Sequence, residues 1–164
     1  MDQATLAPRL IRTFVQRIAA TPEQVFPLLC PEMEKRWLSG WDYRMIYSRT
    51  GVAERGAVFE TSSANGKTVW VVTEYDPARR IGFVRWQPDG LVVQLEISLG
   101  QHHNHETAVS ISYTYTAIDE RGAPVLSAMD DKGWLETMAH WEGSMNAWFA
   151  KQDSPQSSSS SPHR

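Results

Sequence analysis

Between Arg9 and Ala19 apolar and polar residues alternate, with Phe14, Gln16 and Ile18 on one face and Thr13, Val15 and Arg17 on the other. A period of two predicts a strand. Thr21-Pro22-Glu23 follows and reads as a helix start: Thr21 can cap, Pro22 suits the first helical position, and Glu23 complements the helix dipole. Val25, Phe26, Leu28 and Leu29 supply this helix's apolar side, and Pro31 ends it and opens a second short helix through Met33 to Leu38, stopped by Gly40. From Trp41 to about Ala117 the period returns to two. Turn signals recur at Asn65-Gly66, Asp76-Pro77, Pro88-Asp89-Gly90 and the run QHHNHE from Gln101 to Glu106, so this stretch predicts an antiparallel meander.

Two of its strands are especially plain. Leu91, Val93, Leu95, Ile97 and Leu99 alternate with Val92, Gln94, Glu96 and Ser98, and Val109, Ile111, Tyr113 and Tyr115 with Ser110, Ser112, Thr114 and Thr116. One face is dry and one wet, so a cover is required. After Gly122-Ala123-Pro124 the spacing predicts one long helix that provides it. Trp134, Met138, Trp141, Met145 and Trp148 recur at intervals of four and three, flanked by Leu135 and Phe149, while Glu136, His140 and Lys151 fall on the opposite side.

The chain has 164 residues, room for one domain of ordinary size. We place that domain at 1–152 and expect the Ser-rich tail, 153–164, to stay disordered, because it lacks the apolar surface that would offset the entropy of ordering. A net charge of −3 leaves no electrostatic footprint for nucleic acid. The single cysteine, Cys30, permits neither an internal disulfide nor a thiolate metal cluster. Neither a signal-peptide pattern nor an apolar run long enough for a membrane span is visible, and we expect a cytoplasmic protein. Seven tryptophans are the compositional oddity. Each offers a rigid apolar face suited to a packed core or to the wall of a site for a flat ligand.

The order strand, two helices, six-stranded meander, long helix resembles the START-like superfamily, also called SRPBCC, which includes birch-pollen-allergen-type proteins and polyketide cyclases. Three stretches carry the likeness. Ile18 to Phe26 looks like the superfamily's first strand-to-helix joint, with Trp37 where a Trp commonly closes the second helix. Thr73 to Phe83 is similar to a hairpin of the branch related to activators of a heat-shock chaperone's ATPase. Trp141-Glu142 with Asn146 to Phe149 is similar to the helix ending in that branch's bacterial members. The resemblance implies an α+β helix-grip fold: a curved antiparallel sheet, two short helices, and a long C-terminal helix over the concave face. It also implies an apolar cavity between sheet and helix. Members bind lipids, sterols, polyketides or other hydrophobic molecules, and some catalyse.

Reactive groups are few. His102, His103 and His105 with Glu106 suggest a metal site, but adjacent histidines at a hairpin tip diverge, and a solvated turn is the better reading. His140 pairs with Glu136 on the outer face of the helix, as an exposed pair. Cys30 has no basic neighbour in sequence to activate it, and packing explains it. No nucleophile elbow, phosphate loop, H-E-x-x-H or C-x-x-C is present, and we expect no metal and no cofactor. The polar residues on apolar faces are Gln16 and Arg85. Arg85 points inwards if it keeps phase with Ile81 and Phe83, and outwards if Trp86 takes the inner face after a bulge, and the sequence leaves both open. Tyr43, Tyr113 and Tyr115 offer hydroxyls at the pocket wall.

The expected pocket is therefore walled by Trp37, Trp41, Trp70, Phe83, Leu95 and Ile97 and closed by Tyr113, Trp134, Met138, Trp141 and Met145. Gln16, Tyr43 and Arg85 are its polar contacts. The function that follows is binding of a small hydrophobic molecule, as a carrier or sensor of a lipid, polyketide or aromatic compound. The alternatives are a cyclase or dehydratase and a chaperone-regulating interaction module. The sequence leaves oligomeric state open.

Overall fold

Alternation along the first strand becomes a one-sided burial pattern in the computed structural model, which describes residues 6–153. In β1 (Arg9–Ile18) the even-numbered side chains turn inwards, and Gln16 and Ile18 are fully buried. The Thr21 joint forms a reciprocal cap. Thr21 Oγ1 accepts from the Gln24 amide at 3.4 Å, and the Thr21 amide donates to Gln24 Oε1 at 3.0 Å. The helix it starts is one turn, α1 (Pro22–Val25), tightening into a 3-10 turn at Phe26–Leu29 before Pro31 opens α2 (Pro31–Trp37).

Six further strands follow: β2 (Arg44–Tyr47), β3 (Val58–Ser63), β4 (Gly66–Asp76), β5 (Arg80–Gln87), β6 (Leu91–His102) and β7 (Glu106–Ala117). They form one antiparallel sheet in the order β1-β7-β6-β5-β4-β3-β2. Strands β1 and β2 thus lie at opposite edges, and the two short helices carry the chain from one edge to the other. Register places Phe83 opposite Leu95 and Leu95 opposite Tyr113, so the dry faces of β5, β6 and β7 coincide.

The orientation of Arg85 is resolved by β4, which takes the irregularity. Its register against β5 shifts between Val72 and Glu74, while β5 runs unbroken against β6. Arg85, paired with Trp70, therefore stays in phase with Phe83 and points inwards, and Trp86 is 63% exposed on the outer face.

The cover is two helices rather than the single one expected. α3 (Gly122–Ala128) ends at Met129, whose backbone is extended, and α4 (Asp131–Asp153) begins afresh. The break has a local cause: Asp130 Oδ1 accepts from the Gly133 amide at 2.7 Å, a side-chain cap that starts a helix. The expected phase of α4 is observed. Met138, Met145 and Phe149 are buried, Trp134, Trp141 and Trp148 are half-buried, and Glu136 and His140 face solvent.

Polar contacts fasten α4 along the edge strand β1. Gln16 Nε2 donates to the Met138 carbonyl at 3.0 Å, Trp134 Nε1 to the Thr13 carbonyl at 3.3 Å, and the Arg17 amide to Glu142 Oε2 at 2.9 Å. Asn146 accepts from the Ala19 amide at 2.8 Å and donates to the Arg17 carbonyl at 3.0 Å. An edge strand's unpaired backbone groups are thus met by helix side chains. Arg12 adds an ion pair to Asp131. The serine-rich segment lies outside the described residues, and among those described no helix is long and apolar enough to cross a membrane.

Candidate functional site

Between the inner sheet face, α2 and α4 lies a largely enclosed chamber of about 140 Å³. Aromatic rings make up a large share of its wall. Phe59 stacks on Trp70 with centroids 5.4 Å apart, while Trp41 and Phe83 each meet Trp70 edge-on at 6.0 Å. Three of its indole N–H groups have protein acceptors: Trp37 donates to the Leu28 carbonyl at 2.8 Å, Trp41 to the Pro31 carbonyl at 2.8 Å, and Trp70 to Thr61 Oγ1 at 3.0 Å. Such bonds fix ring orientation and leave apolar surface facing inwards.

A second, wider space of about 400 Å³ opens at the α3–α4 junction, lined by Tyr115, Met129, Asp130, Trp134 and Met138 among others. Arg85, Tyr113 and Trp141 border both spaces. The chain therefore holds two adjoining spaces with part of one wall in common, an outer vestibule and an aromatic chamber. The break between α3 and α4 sits at the mouth.

Four polar groups bear on the chamber. Arg85 Nε donates to Gln87 Oε1 at 2.7 Å, and its guanidinium lies 5.1 Å from the Trp70 ring and 5.5 Å from the Tyr113 ring, a favourable cation–π placement. Burial pushes the Tyr113 phenol well above its ordinary range, and Tyr115 is raised for the same reason, with Arg85 opposing the rise in both. Gln16 is fully buried, and its Oε1 has no hydrogen-bond partner among the described residues. Glu34 is half-buried as a residue, but its carboxyl lies among the chamber's apolar side chains, and burial pushes it up to about 8.

The structure gathers most of the expected wall. Gln16, Trp37, Trp41, Trp70, Phe83, Arg85, Leu95, Ile97, Tyr113, Trp141 and Met145 border the chamber, and Trp134 and Met138 lie at the vestibule. Tyr43 borders neither. Its hydroxyl donates to Glu32 Oε2 at 2.5 Å, and Lys35 lies over its ring at 4.8 Å. Cys30 lies at a separate outer groove, where burial pushes its thiol up to about 11, which leaves it unreactive as a nucleophile. His102 contacts Arg17 at the tip of the β6–β7 hairpin, where Asn104 and His105 have φ of 59° and 60°.

Sequence reasoning missed Glu34 and Phe59. Glu34 stands among Glu32, Lys35 and Arg36 and looks like part of a solvated face. Its spacing was the available signal: Pro31, Glu34 and Trp37 recur every three residues, so the acid shares the stripe of the buried Trp37.

No family model and no curated protein matches the chain. Solved structures do. Norcoclaurine synthase from Thalictrum flavum, in complex with dopamine and hydroxybenzaldehyde, is similar over 91% of both chains at 12% identity with a TM-score of 0.66. A protein from Rhodobacter sphaeroides is similar over 89% of this chain and 100% of its own, at 15% identity and a TM-score of 0.66. Ara h 8.0201 is similar over 87% of this chain and 99% of its own, at 10% identity and a TM-score of 0.63. Identities this low carry the fold alone, and they do not favour the chaperone-activator branch over any other. The chain has the helix-grip fold of these structures, with its chamber between the sheet and the long C-terminal helix.

Proposed function

We infer that the protein binds a small, largely apolar molecule between the sheet and α4, as a carrier or sensor. The observation that carries this reading is the enclosed, ring-rich chamber. A volume near 140 Å³ is close to that of cavities known to take one benzene-sized ring, at about 150 Å³. One ring or a short branched alkyl end fills the chamber, and the rest of a longer ligand occupies the vestibule, where Arg85, Tyr113 and Tyr115 supply polar contacts. A similar fold with small aromatic molecules bound, in norcoclaurine synthase, supports the reading.

An environment-sensitive apolar dye or a panel of aromatic ligands should bind the native protein and quench its tryptophan emission. Trp141→Phe trims a side chain that borders both spaces and Met138→Ala enlarges the vestibule, so each should change affinity. If folded variants of both kinds bound every ligand as the parent does, or if the parent bound none, the carrier reading would fail.

A second reading, a cyclase or dehydratase, draws on one observation. Glu34 and Arg85 place an acid and a fixed cation in the same chamber, which is the pairing that proton transfer next to a polarised carbonyl requires. A surface-interaction module would instead rely on the outer sheet face, where exposed Trp86 pairs with Val69. Loss of partner capture on Trp86→Ser, with no ligand bound by the parent, would favour that module.

A further inference from the structure

We propose that the inner chamber is a cation site: it takes the positively charged end of a small organic ammonium compound, with Glu34 as the counter-charge and the rings of Trp37, Trp41 and Phe59 as the wall. This names the ligand class of the binding reading above and rests on it.

Three observations carry the proposal. First, the chamber combines several ring faces with a carboxyl, and ring faces attract alkylated ammonium groups by their quadrupole while matching their apolar surface. The indole N–H groups of Trp37, Trp41 and Trp70 are engaged by protein acceptors, so their ring faces are what these residues present. Second, the Glu34 carboxyl lacks a partner among the described residues. Among the described residues none makes a hydrogen bond or ion pair with its carboxyl, and burial alone accounts for its behaviour. An acid kept in an apolar space without a partner costs stability unless something outside the chain completes it. Third, Gln16 in the same lining is fully buried, and its Oε1 is an acceptor left without a hydrogen-bond partner among the described residues.

Arg85 does not cancel this. It shares the chamber's lining, but its guanidinium is tied to Gln87 and laid over the Trp70 and Tyr113 rings. The lining thus holds one cation, Arg85, engaged with its own partners, and one acid, Glu34. A ligand with an electron-rich or anionic part beyond its ammonium end would meet Arg85.

The groups facing Glu34 from neighbouring elements are Cys30 before α2, Arg85 on β5 and Tyr113 on β7, with Glu32, Lys35 and Arg36 on its own helix. α4 presents Trp141 and Met145, β1 presents Gln16, and β3 and β4 present Phe59 and Trp70. The Cys30 thiol and the Tyr113 phenol are both pushed far above neutrality, which leaves Glu34 as the chamber's acid that changes charge between pH 6.5 and pH 9.

The test uses two probes of nearly equal shape, phenyltrimethylammonium and tert-butylbenzene, titrated into the full chain at pH 6.5 and pH 9 and read by tryptophan fluorescence. Neither probe titrates, so any pH dependence belongs to the protein. The expected result is that the cation binds roughly ten- to thirty-fold more tightly at pH 9, while the neutral probe changes little. Glu34→Gln, shown to be folded by its melting curve, should bind the neutral probe as the parent does and lose the cation preference. Should the variant not fold, the pH arm on the parent decides alone. Tighter binding of tert-butylbenzene than of the cation at both pH values overturns the cation site and leaves the hydrophobic-ligand reading standing. Binding of neither probe overturns both.

Discussion

Glu34→Gln should stabilise the protein at high pH and leave it almost unchanged at low pH. Burial raises the folded carboxyl from its ordinary 4.5 to about 8, so between those values the folded chain holds a proton that the unfolded chain has released. Stability then falls as pH rises through that window, because the folded state binds more protons than the unfolded one. At about 1.4 kcal/mol per pH unit the ceiling is near 5 kcal/mol. Glu34 is half-buried and borders a space wide enough for water, so screening brings the expected cost to about 2–4 kcal/mol. Gln keeps the shape and cannot ionise. Urea denaturation and thermal melts of both proteins at pH 4.5, 7 and 9 should show the variant equal to the parent at pH 4.5. By pH 9 it should melt roughly 5–15 °C higher, given the entropy of unfolding of a domain this size. A difference that does not vary with pH, or one that favours the parent at pH 9, would mean that the carboxyl is solvated or paired, and would remove Glu34 from the chamber's chemistry.

Other consequences can be checked with single changes. Thr21→Ala removes the reciprocal cap with Gln24 and should cost about 1 kcal/mol in urea denaturation; no loss would mean that packing of Val25 and Phe26 alone holds the corner. Asn146→Ala breaks both bonds to β1 and should cost about 1–3 kcal/mol and speed amide exchange at Ala19; unchanged exchange would refute the fastening of α4 to the edge strand. Gly122→Ala places a Cβ against the Gly90 carbonyl and 2.9 Å from the Ala117 Cβ, and should lower the melting temperature by several degrees; a neutral effect would mean the β5–β6 turn yields. Removing residues 154–164, Ser-rich by composition, should leave the melting temperature within a few degrees, and a larger fall would show that they pack on the domain.

Much of the architecture was legible along the chain because it rests on short-range rules. Period two in β6 and β7 decides which face is dry, Thr21 and Pro22 mark a helix start, and the four-three spacing from Trp134 to Met145 sets the phase of α4. Each needs only the geometry of its own element. The α3–α4 break was harder to see, since Asp130 and Gly133 form a cap inside a stretch whose apolar spacing continues on both sides. Arg85 was undecidable locally: its direction depends on which strand absorbs an extra residue, and that is settled between β4 and β5.

The candidate site divides in the same way. The aromatic wall could be anticipated, because large apolar side chains on a dry face must meet whatever covers it. Its polar content could not. The environment of Glu34 is set by Arg85, Tyr113, Phe59 and Trp141, which lie on four other elements and converge only once the sheet curves and α4 closes over it. A carboxyl's behaviour depends on the dielectric and charges within a few ångströms in space. The sequence by itself determined which faces are apolar, and only the tertiary structure decided which acid those faces enclose.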